Sequence, residues 1–228
     1  MTTALVTGAN KGIGKEIARQ LVEAGLTVLI GSRDAARGQQ AAAEVGGECL
    51  VLDVTSADSI AAACARVETL DVLVNNAGVM VDGCRPPEAD VDSFRRTYET
   101  NVFGVLAVTN AFLPALRRSA HPRIVNVSSG TGSLTWSGSQ YAGDGAGAAY
   151  RSSKAALNAL TVYYAQALSD FKVNALAPGL RRTDLNDRAA ASDGDPAGAA
   201  AGAVRLALLP DDGPSGEFLS WDGTPAPW

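Results

Sequence analysis

The residues with the most evident chemistry are Tyr150 and Lys154, in the run Tyr150-Arg151-Ser152-Ser153-Lys154. Four apart on a helix, a phenol and an ammonium share one face, with roughly 6 Å between their Cβ atoms. A free tyrosine titrates at about 10. A nearby cation favours the phenolate, so Lys154 is expected to draw Tyr150 towards neutrality and make it a usable acid or base. Tyr141 is the one nearby competitor, and it fails because position 145 is glycine rather than lysine. His121 is the only histidine; it precedes a proline and reads as a surface-loop residue, which leaves no basis for a histidine triad. Cys49, Cys64 and Cys84 are odd in number and lack metal-ligand spacing. They are expected to be free thiols, buried or half-buried, in a reducing compartment, with no metal site.

A second stretch must bring a partner to that pair. Thr7-Gly8-Ala9-Asn10-Lys11-Gly12-Ile13-Gly14 follows the apolar run Ala4-Leu5-Val6 and opens an amphipathic segment through Ile17 and Leu21. Strand, glycine turn and helix together present free backbone N–H groups to a phosphate. Gly8 permits a tight turn, while Gly12 and Gly14 leave no Cβ in the way of a pyrophosphate or of helix–strand contact.

The elements that position both stretches alternate. Strands are expected at Thr27–Ile30, Cys49–Leu52, Asp71–Val74, Arg123–Val127 and Lys172–Ala175, with a short one near Gly216–Leu219. Helices are expected at Ala35–Val45, from an N-cap at Ser56 to Leu70, across about Val91–Arg118 and Ala148–Ser169, and at Ala197–Leu208. Such alternation means βαβ units with right-handed crossovers. The predicted architecture is α/β, a Rossmann-type doubly wound parallel sheet of about seven strands with helices on both faces. At 228 residues and 46% hydrophobic content, residues 1–228 form one domain, with a substrate-side segment at about 180–200. The special turns all follow strand ends, at Gly8–Gly14, Ser32-Arg33, Asp53, Asn75–Gly78, Ser128-Ser129 and Pro178-Gly179. They therefore share the carboxyl rim, where such sheets bind ligands.

Net charge of −5 argues against a nucleic-acid surface and offers no basic patch for an anionic membrane. Lys11 and Asn10 interrupt any apolar core of a signal peptide, and no 18-residue apolar run exists, so a cytoplasmic location is expected.

The ordered set of a glycine turn, Asn75-Asn76-Ala77-Gly78, Asn101 within a helix, Ser128-Ser129, Tyr-x-x-x-Lys and Pro178-Gly179 resembles the short-chain dehydrogenase/reductase family from about Thr3 to Thr183. Asn-Lys-Gly-Ile-Gly and the Ser–Tyr region look most like its carbonyl-reductase branch. The resemblance implies that Tyr150 gives a proton to a carbonyl oxygen as hydride reaches its carbon. It implies that Lys154 lowers the Tyr150 pKa and holds the nicotinamide ribose. Ser129 would hydrogen-bond the substrate oxygen, with Ser128 the fallback if the register shifts by one. Asn101 would sit in a helix distortion that holds a water leading to Lys154. Ser129 and Tyr150 are 21 apart, a longer gap than most members have. The extra residues, at about 137–148, are Gly- and Ala-rich and are expected to bulge outward. They leave open whether the chain is a monomer or a homo-oligomer.

The same resemblance implies a dinucleotide on Gly8, Asn10, Lys11, Gly12, Ile13 and Gly14. Asp53, with Val54 beside it, would face the adenine. Asn75, Ala77 and Gly78 would support the adenosine side, and Pro178, Gly179, Leu180 and Thr183 the nicotinamide. NAD enzymes place an acidic side chain after the second strand. Here Ser32-Arg33 stand there, with Asp34 one step beyond. A guanidinium holds a 2′-phosphate in a fork, Ser32 would donate to it, and Lys11 would add a second cation. NADP(H) is the expected cofactor, with NAD(H) the runner-up on account of Asp34. Leu134, Trp136, Leu180 and Leu185 suggest an apolar substrate wall beside Ser129, with Trp136 equally suited to plain core packing. The predicted activity is NADPH-linked reduction of a small, apolar ketone or aldehyde. The alternatives are an NAD-dependent alcohol dehydrogenase and a nucleotide-binding regulator without turnover.

Overall fold

The computed structural model describes residues 2–228. Seven strands form one parallel sheet: β1 (Thr3–Thr7), β2 (Thr27–Ser32), β3 (Glu48–Val51), β4 (Val72–Asn75), β5 (Arg123–Val127), β6 (Lys172–Ala177) and β7 (Phe218–Ser220). Their order is β3-β2-β1-β4-β5-β6-β7, so the direction of winding reverses between β1 and β4. Among the described residues nine α-helices connect them: α1 (Gly12–Glu23), α2 (Ala35–Val45), α3 (Ala57–Cys64), α4 (Val91–Tyr98), α5 (Val105–Leu116), α6 (Leu134–Ser137), α7 (Ala148–Ala167), α8 (Asp187–Ala190) and α9 (Pro196–Ala207).

The strands read as unbroken apolar runs because successive side chains feed opposite layers. Ala4, Val6, Val72, Val74, Val125 and Val127 meet Ile17, Leu21, Ala203 and Leu206 on the face covered by α1, α2 and α9. Leu5, Leu73, Ile124 and Val173 meet Ile60, Val108, Phe112 and Leu116 on the other. Both faces are covered by buried side chains, as a parallel sheet requires.

Two helices differ from expectation. The Ser56 hydroxyl caps α3 by accepting from the Ser59 N–H at 3.3 Å, but α3 ends at Cys64 rather than Leu70. The single long helix over Val91–Arg118 is instead α4 and α5 joined by a π-helical turn, Glu99–Gly104. Among the described residues no helix is long and apolar enough to cross a membrane. All three cysteines are free; Cys49 and Cys64 are half-buried, whereas Cys84, expected to be at least half-buried, is exposed in the loop after β4.

Candidate active site

The carboxyl ends of β1, β4, β5 and β6 converge on the space between the glycine turn and α7. After β1, Gly8 adopts φ +63°, and a Cβ there would lie 2.9 Å from the Ala77 Cα, so only glycine allows these two strand ends to meet. Asn76 fastens the turn, donating from Nδ2 to the carbonyls of Thr7 (2.9 Å) and Gly8 (3.3 Å). The Thr7 hydroxyl accepts from the N–H groups of Asn76 and Ala77, both at 3.0 Å. The turn is therefore held by side chains, leaving the start of α1 open; Lys11, at its N-cap position, makes no side-chain cap. Ile13 leans back on the core.

Asn75 is not a cofactor-facing residue. Its side chain is buried and donates to Thr109 Oγ1 (3.0 Å) and Asn126 Oδ1 (2.9 Å), tying β4 to α5 and β5. Asn76, the second of the pair, is the one that reaches the glycine turn. Asp53 accepts from the N–H and hydroxyl of Thr55, and Val54 beside it is half-buried.

At the end of β2 the charges sort cleanly. Asp34 caps α2, accepting from the Arg37 N–H at 3.0 Å, so its carboxylate is engaged by the helix. Ser32 is buried and gives its proton to the Asp34 carbonyl (2.8 Å), so it does not offer the donor expected of it. Arg33 is exposed and makes no ion pair among the described residues. Lys11 is paired with Asp184 of the substrate-side segment, and Lys15 with Glu44. Asn10, Lys11, Lys15, Arg37, Gln40, Ala41 and Glu44 line a cavity of about 280 Å³. Arg37, in the first turn of α2, lies 3.6 Å from the Asp34 carboxylate.

Ser129, Tyr150 and Lys154 come together as expected. Ser129 caps the short turn Gly130–Gly132, its hydroxyl 2.9 Å from Thr131 Oγ1. That hydroxyl faces the half-buried Tyr150 phenol and acts against the upward shift described below. Ser128, the fallback, is excluded from the site: it is buried and donates to Asn158 Oδ1 at 2.5 Å. The buried Lys154 ammonium donates to the Val127 carbonyl (2.9 Å) and lies 5.7 Å from the Tyr150 ring centroid. Asn101 is fully buried in the π-helical turn. It accepts from the Val79 N–H (2.8 Å) and donates to the Val79 carbonyl (2.9 Å) and to Ser153 Oγ (3.0 Å). The distortion of the helix thus clamps the chain leaving β4 against α7. Gly78 lies in that clamp: a Cβ there would be 3.4 Å from both Asn101 Oδ1 and Lys154 Nζ.

The electrostatics differ from the reading of spacing alone. Burial pushes the Tyr150 phenol up to about 12, with Ser129 acting in the opposite sense. Burial likewise draws Lys154 down to about 8. Desolvation of the charged forms outweighs pair attraction here. Tyr150 therefore keeps its proton across the ordinary pH range, which suits it to donate rather than to accept.

Pro178 is buried, Gly179 turns the chain at φ +70°, and Thr183 lies against Gly12, 3.5 Å from where a Cβ would stand. Leu180 is exposed and Leu185 half-buried. Leu134 is no pocket wall: it is 75% exposed, because Ser133 caps α6 so as to turn it outward. Trp136 is core packing, set against Ala175, Ala177 and Phe218. Met80, unannounced by the sequence, takes a place beside the site, where Asn186 Nδ2 reaches its sulfur at 3.0 Å and Gly147 abuts its methyl. Segment 137–148 is exposed over residues 138–144, as an outward bulge would be, and is anchored to the body of the protein. Gly147 donates to the carbonyls of Gly83 and Cys84 (3.1 Å each), and Arg151 Nη2 donates to the Tyr141 carbonyl (2.7 Å). His121 is exposed at the opposite rim, 2.8 Å from Asp211. No group of three or more metal-ligating side chains occurs among the described residues.

The pattern of the short chain dehydrogenase family matches residues 2–194. Salutaridine reductase of Papaver bracteatum is 37% identical over 297 aligned positions, covering 96% of this chain and 94% of that one. The alignment is longer than the 228 residues here, so the present chain spans its relative with internal segments omitted. (−)-Isopiperitenone reductase of Mentha piperita is 34% identical, covering 96% of each chain. The structure of NADPH-bound carbonyl reductase from chicken fatty liver superposes with a TM-score of 0.84 at 28% identity, covering 100% of this chain and 99% of that one. Matching order of motifs, sheet topology and site geometry have one reading: the chain belongs to the short-chain dehydrogenase family and has a carbonyl reductase among its structural neighbours.

Proposed function

We propose that this chain is an NADPH-dependent reductase of ketones or aldehydes. The observation that carries the reading is the meeting of Ser129, Tyr150, Lys154 and Asn101 beside a glycine turn held open by Asn76. The residues fit a dinucleotide: Gly8 and Gly12 leave no Cβ over the turn, and Arg33, without an ion pair among the described residues, would offer a cation to a 2′-phosphate. Gly8, Asn10, Lys11, Gly12, Ile13 and Gly14 would hold the pyrophosphate end, Arg33 and Arg37 the 2′-phosphate, and Pro178 to Thr183 the nicotinamide. When bound, the cofactor supplies the hydride.

This chain's own residues manage the proton. The Ser129 hydroxyl and the Tyr150 phenol both direct hydrogen bonds at the carbonyl oxygen, where negative charge develops. Tyr150 Oη then gives up its proton to that oxygen, a step made cheaper by the Lys154 charge as phenolate forms. The Val127 carbonyl holds Lys154 in place, and Asn101 fixes the loop after β4 beside it. Met80, Leu180 and Leu185 would give the mouth an apolar character. The named relatives reduce salutaridine and isopiperitenone, which supports a ketone as substrate class.

Loss of NADPH absorbance with a panel of aromatic and aliphatic ketones tests the activity; cofactor binding without turnover on any of them would count against it. For the cofactor, Arg33→Asp should raise the apparent KM for NADPH about 10- to 100-fold, the worth of one or two charged hydrogen bonds. The KM for NADH should stay within about twofold. Equal changes for both would refute phosphate recognition by Arg33.

A further inference from the structure

Between Ser129 and Tyr150 the chain does something its composition does not announce: it returns to the site and sets a second tyrosine beside it. The Tyr141 N–H donates to the Trp136 carbonyl at 2.8 Å, and Arg151, the residue after Tyr150, grips the Tyr141 carbonyl (2.7 Å) and Ser137 Oγ (3.2 Å) through Nη2. The Tyr141 ring stands edge-on to Trp136, centroids 5.9 Å apart at 87°, and Trp136 is backed by Phe218 at 6.4 Å. These contacts press the phenol onto Gly130. A Cβ at Gly130 would lie 2.9 Å from Tyr141 Cε2 and 3.0 Å from its hydroxyl, so the missing side chain is the seat the phenol occupies.

Gly130 is the immediate neighbour of Ser129, whose hydroxyl faces Tyr150. Tyr141 is 36% exposed, and its hydroxyl makes no hydrogen bond to protein among the described residues. A phenol hydroxyl both donates and accepts. Here its body is fixed by backbone, guanidinium and ring contacts, while its polar tip rests on Gly130, the residue after the proposed oxygen-binding serine.

We propose that Tyr141 is a specificity-determining residue: its hydroxyl binds a second oxygen on the substrate, adjacent to the carbonyl held by Ser129 and Tyr150. The favoured substrates are then α-oxygenated ketones, with a hydroxyl on the carbon next to the carbonyl, over ketones bearing only hydrocarbon there. This rests on the carbonyl-reductase reading above. Tyr141 takes no part in proton transfer; it orients the ligand. A site built to hydrogen-bond a hydroxyl discriminates against the analogue lacking it, because its own polar group is then left unpaired.

The test compares α-hydroxyacetophenone with propiophenone, which differ by a hydroxyl in place of a methyl, using NADPH with the wild type and Tyr141→Phe. The variant keeps the ring on Gly130 and Trp136 and loses only the oxygen. The kcat/KM ratio of hydroxyketone to ketone should fall about tenfold, with propiophenone changed less than about twofold. An unchanged ratio, or equal losses on both ketones, overturns the proposal. Titration calorimetry of each ketone with both proteins separates the two readings. If the wild type turns over neither ketone, the reductase assignment fails for these substrates while the Kd values still decide on Tyr141. A hydroxyketone Kd weakened about tenfold by the substitution supports it. A Kd that does not move, or no measurable binding to the wild type, overturns it.

Discussion

The two rims of the sheet use polar side chains in opposite ways. At the amino rim they satisfy one another. Asp71 accepts from the Thr3 N–H (2.7 Å) and the Ser119 hydroxyl (2.5 Å). Arg123, 4% exposed, donates to the Leu209 carbonyl, the Pro122 carbonyl and Asp211, and His121 closes the group on Asp211. At the carboxyl rim several groups are held in place and left uncommitted: Arg33 without an ion pair, Tyr150 facing only Ser129, Tyr141 with a free hydroxyl. Buried polar groups with complete partners fix a fold, whereas held but unfulfilled ones wait for a ligand. The contrast also locates the site without any motif, because it asks only which rim has capacity to spare.

The sharpest way to break this contrast is at Tyr150. Tyr150→Phe keeps the ring and removes the transferable proton, so kcat should fall about 10²- to 10⁴-fold. Cofactor affinity and Tm should stay near wild-type values. A variant that lost stability instead would put Tyr150 on the structural side of the comparison. The reciprocal experiment is Arg123→Met at the amino rim. It strands the Leu209 carbonyl, which accepts from both Nε and Nη2 of Arg123, and removing the partner of a buried acceptor costs about 2 kcal/mol. Tm should drop by about 4–8 °C in a chain of this size, with kcat and the NADPH KM unchanged. A fall in turnover with intact stability would show that the two rims are not separable in this way.

How much of this was legible in the sequence follows from which forces act locally. The strands showed because unbroken Val/Ile/Leu runs between turn residues have few other fates. The order of the motifs brought Ser129, Tyr150, Lys154 and Asn101 to one place because a parallel sheet puts every strand end on one rim. What stayed hidden depends on contacts between distant residues. The continuous helical pattern over Val91–Arg118 gives no warning of the π-helical turn, whose fixed point is Asn101 gripping Val79, 22 positions earlier. Apolar character marked Leu134 as a wall, yet a one-turn helix capped by Ser133 faces it to solvent. Asn75 and Asn76 look alike in sequence and separate only by which side of the strand each leaves. The Gly/Ala-rich segment after Ser137 looked loose because its anchors are backbone groups and Arg151, neither of which has a local signature. The shift at Tyr150 ran opposite to expectation because helical spacing reports the proximity of Lys154 and says nothing about burial.

That last difference supplies the finest test of the carboxyl rim. If Lys154 governed the phenol as spacing alone suggests, ketone reduction would slow between pH 6 and 9 because Tyr150 lost its proton. With the phenol pushed up to about 12 and the ammonium drawn down to about 8, the group that titrates in this range is Lys154. Its charge is present at pH 7 and is lost as pH rises through about 8. Reduction at saturating NADPH should therefore decline with a midpoint near pH 8, as phenolate formation loses its supporting cation. Lys154→Arg, charged at every accessible pH, should be slower overall but lack that decline. Stability moves the other way. Between about 8 and 10.5 the unfolded chain binds the lysine proton more readily than the folded one, so this group makes the fold more stable as pH rises across that window. Tyr150, raised from 10.0, begins to oppose folding only above about pH 10. Activity that falls through pH 8 while Tm holds or rises is thus the expected signature. A profile flat from pH 6 to 9.5 in the wild type would take the Lys154 charge out of the rate-controlling step.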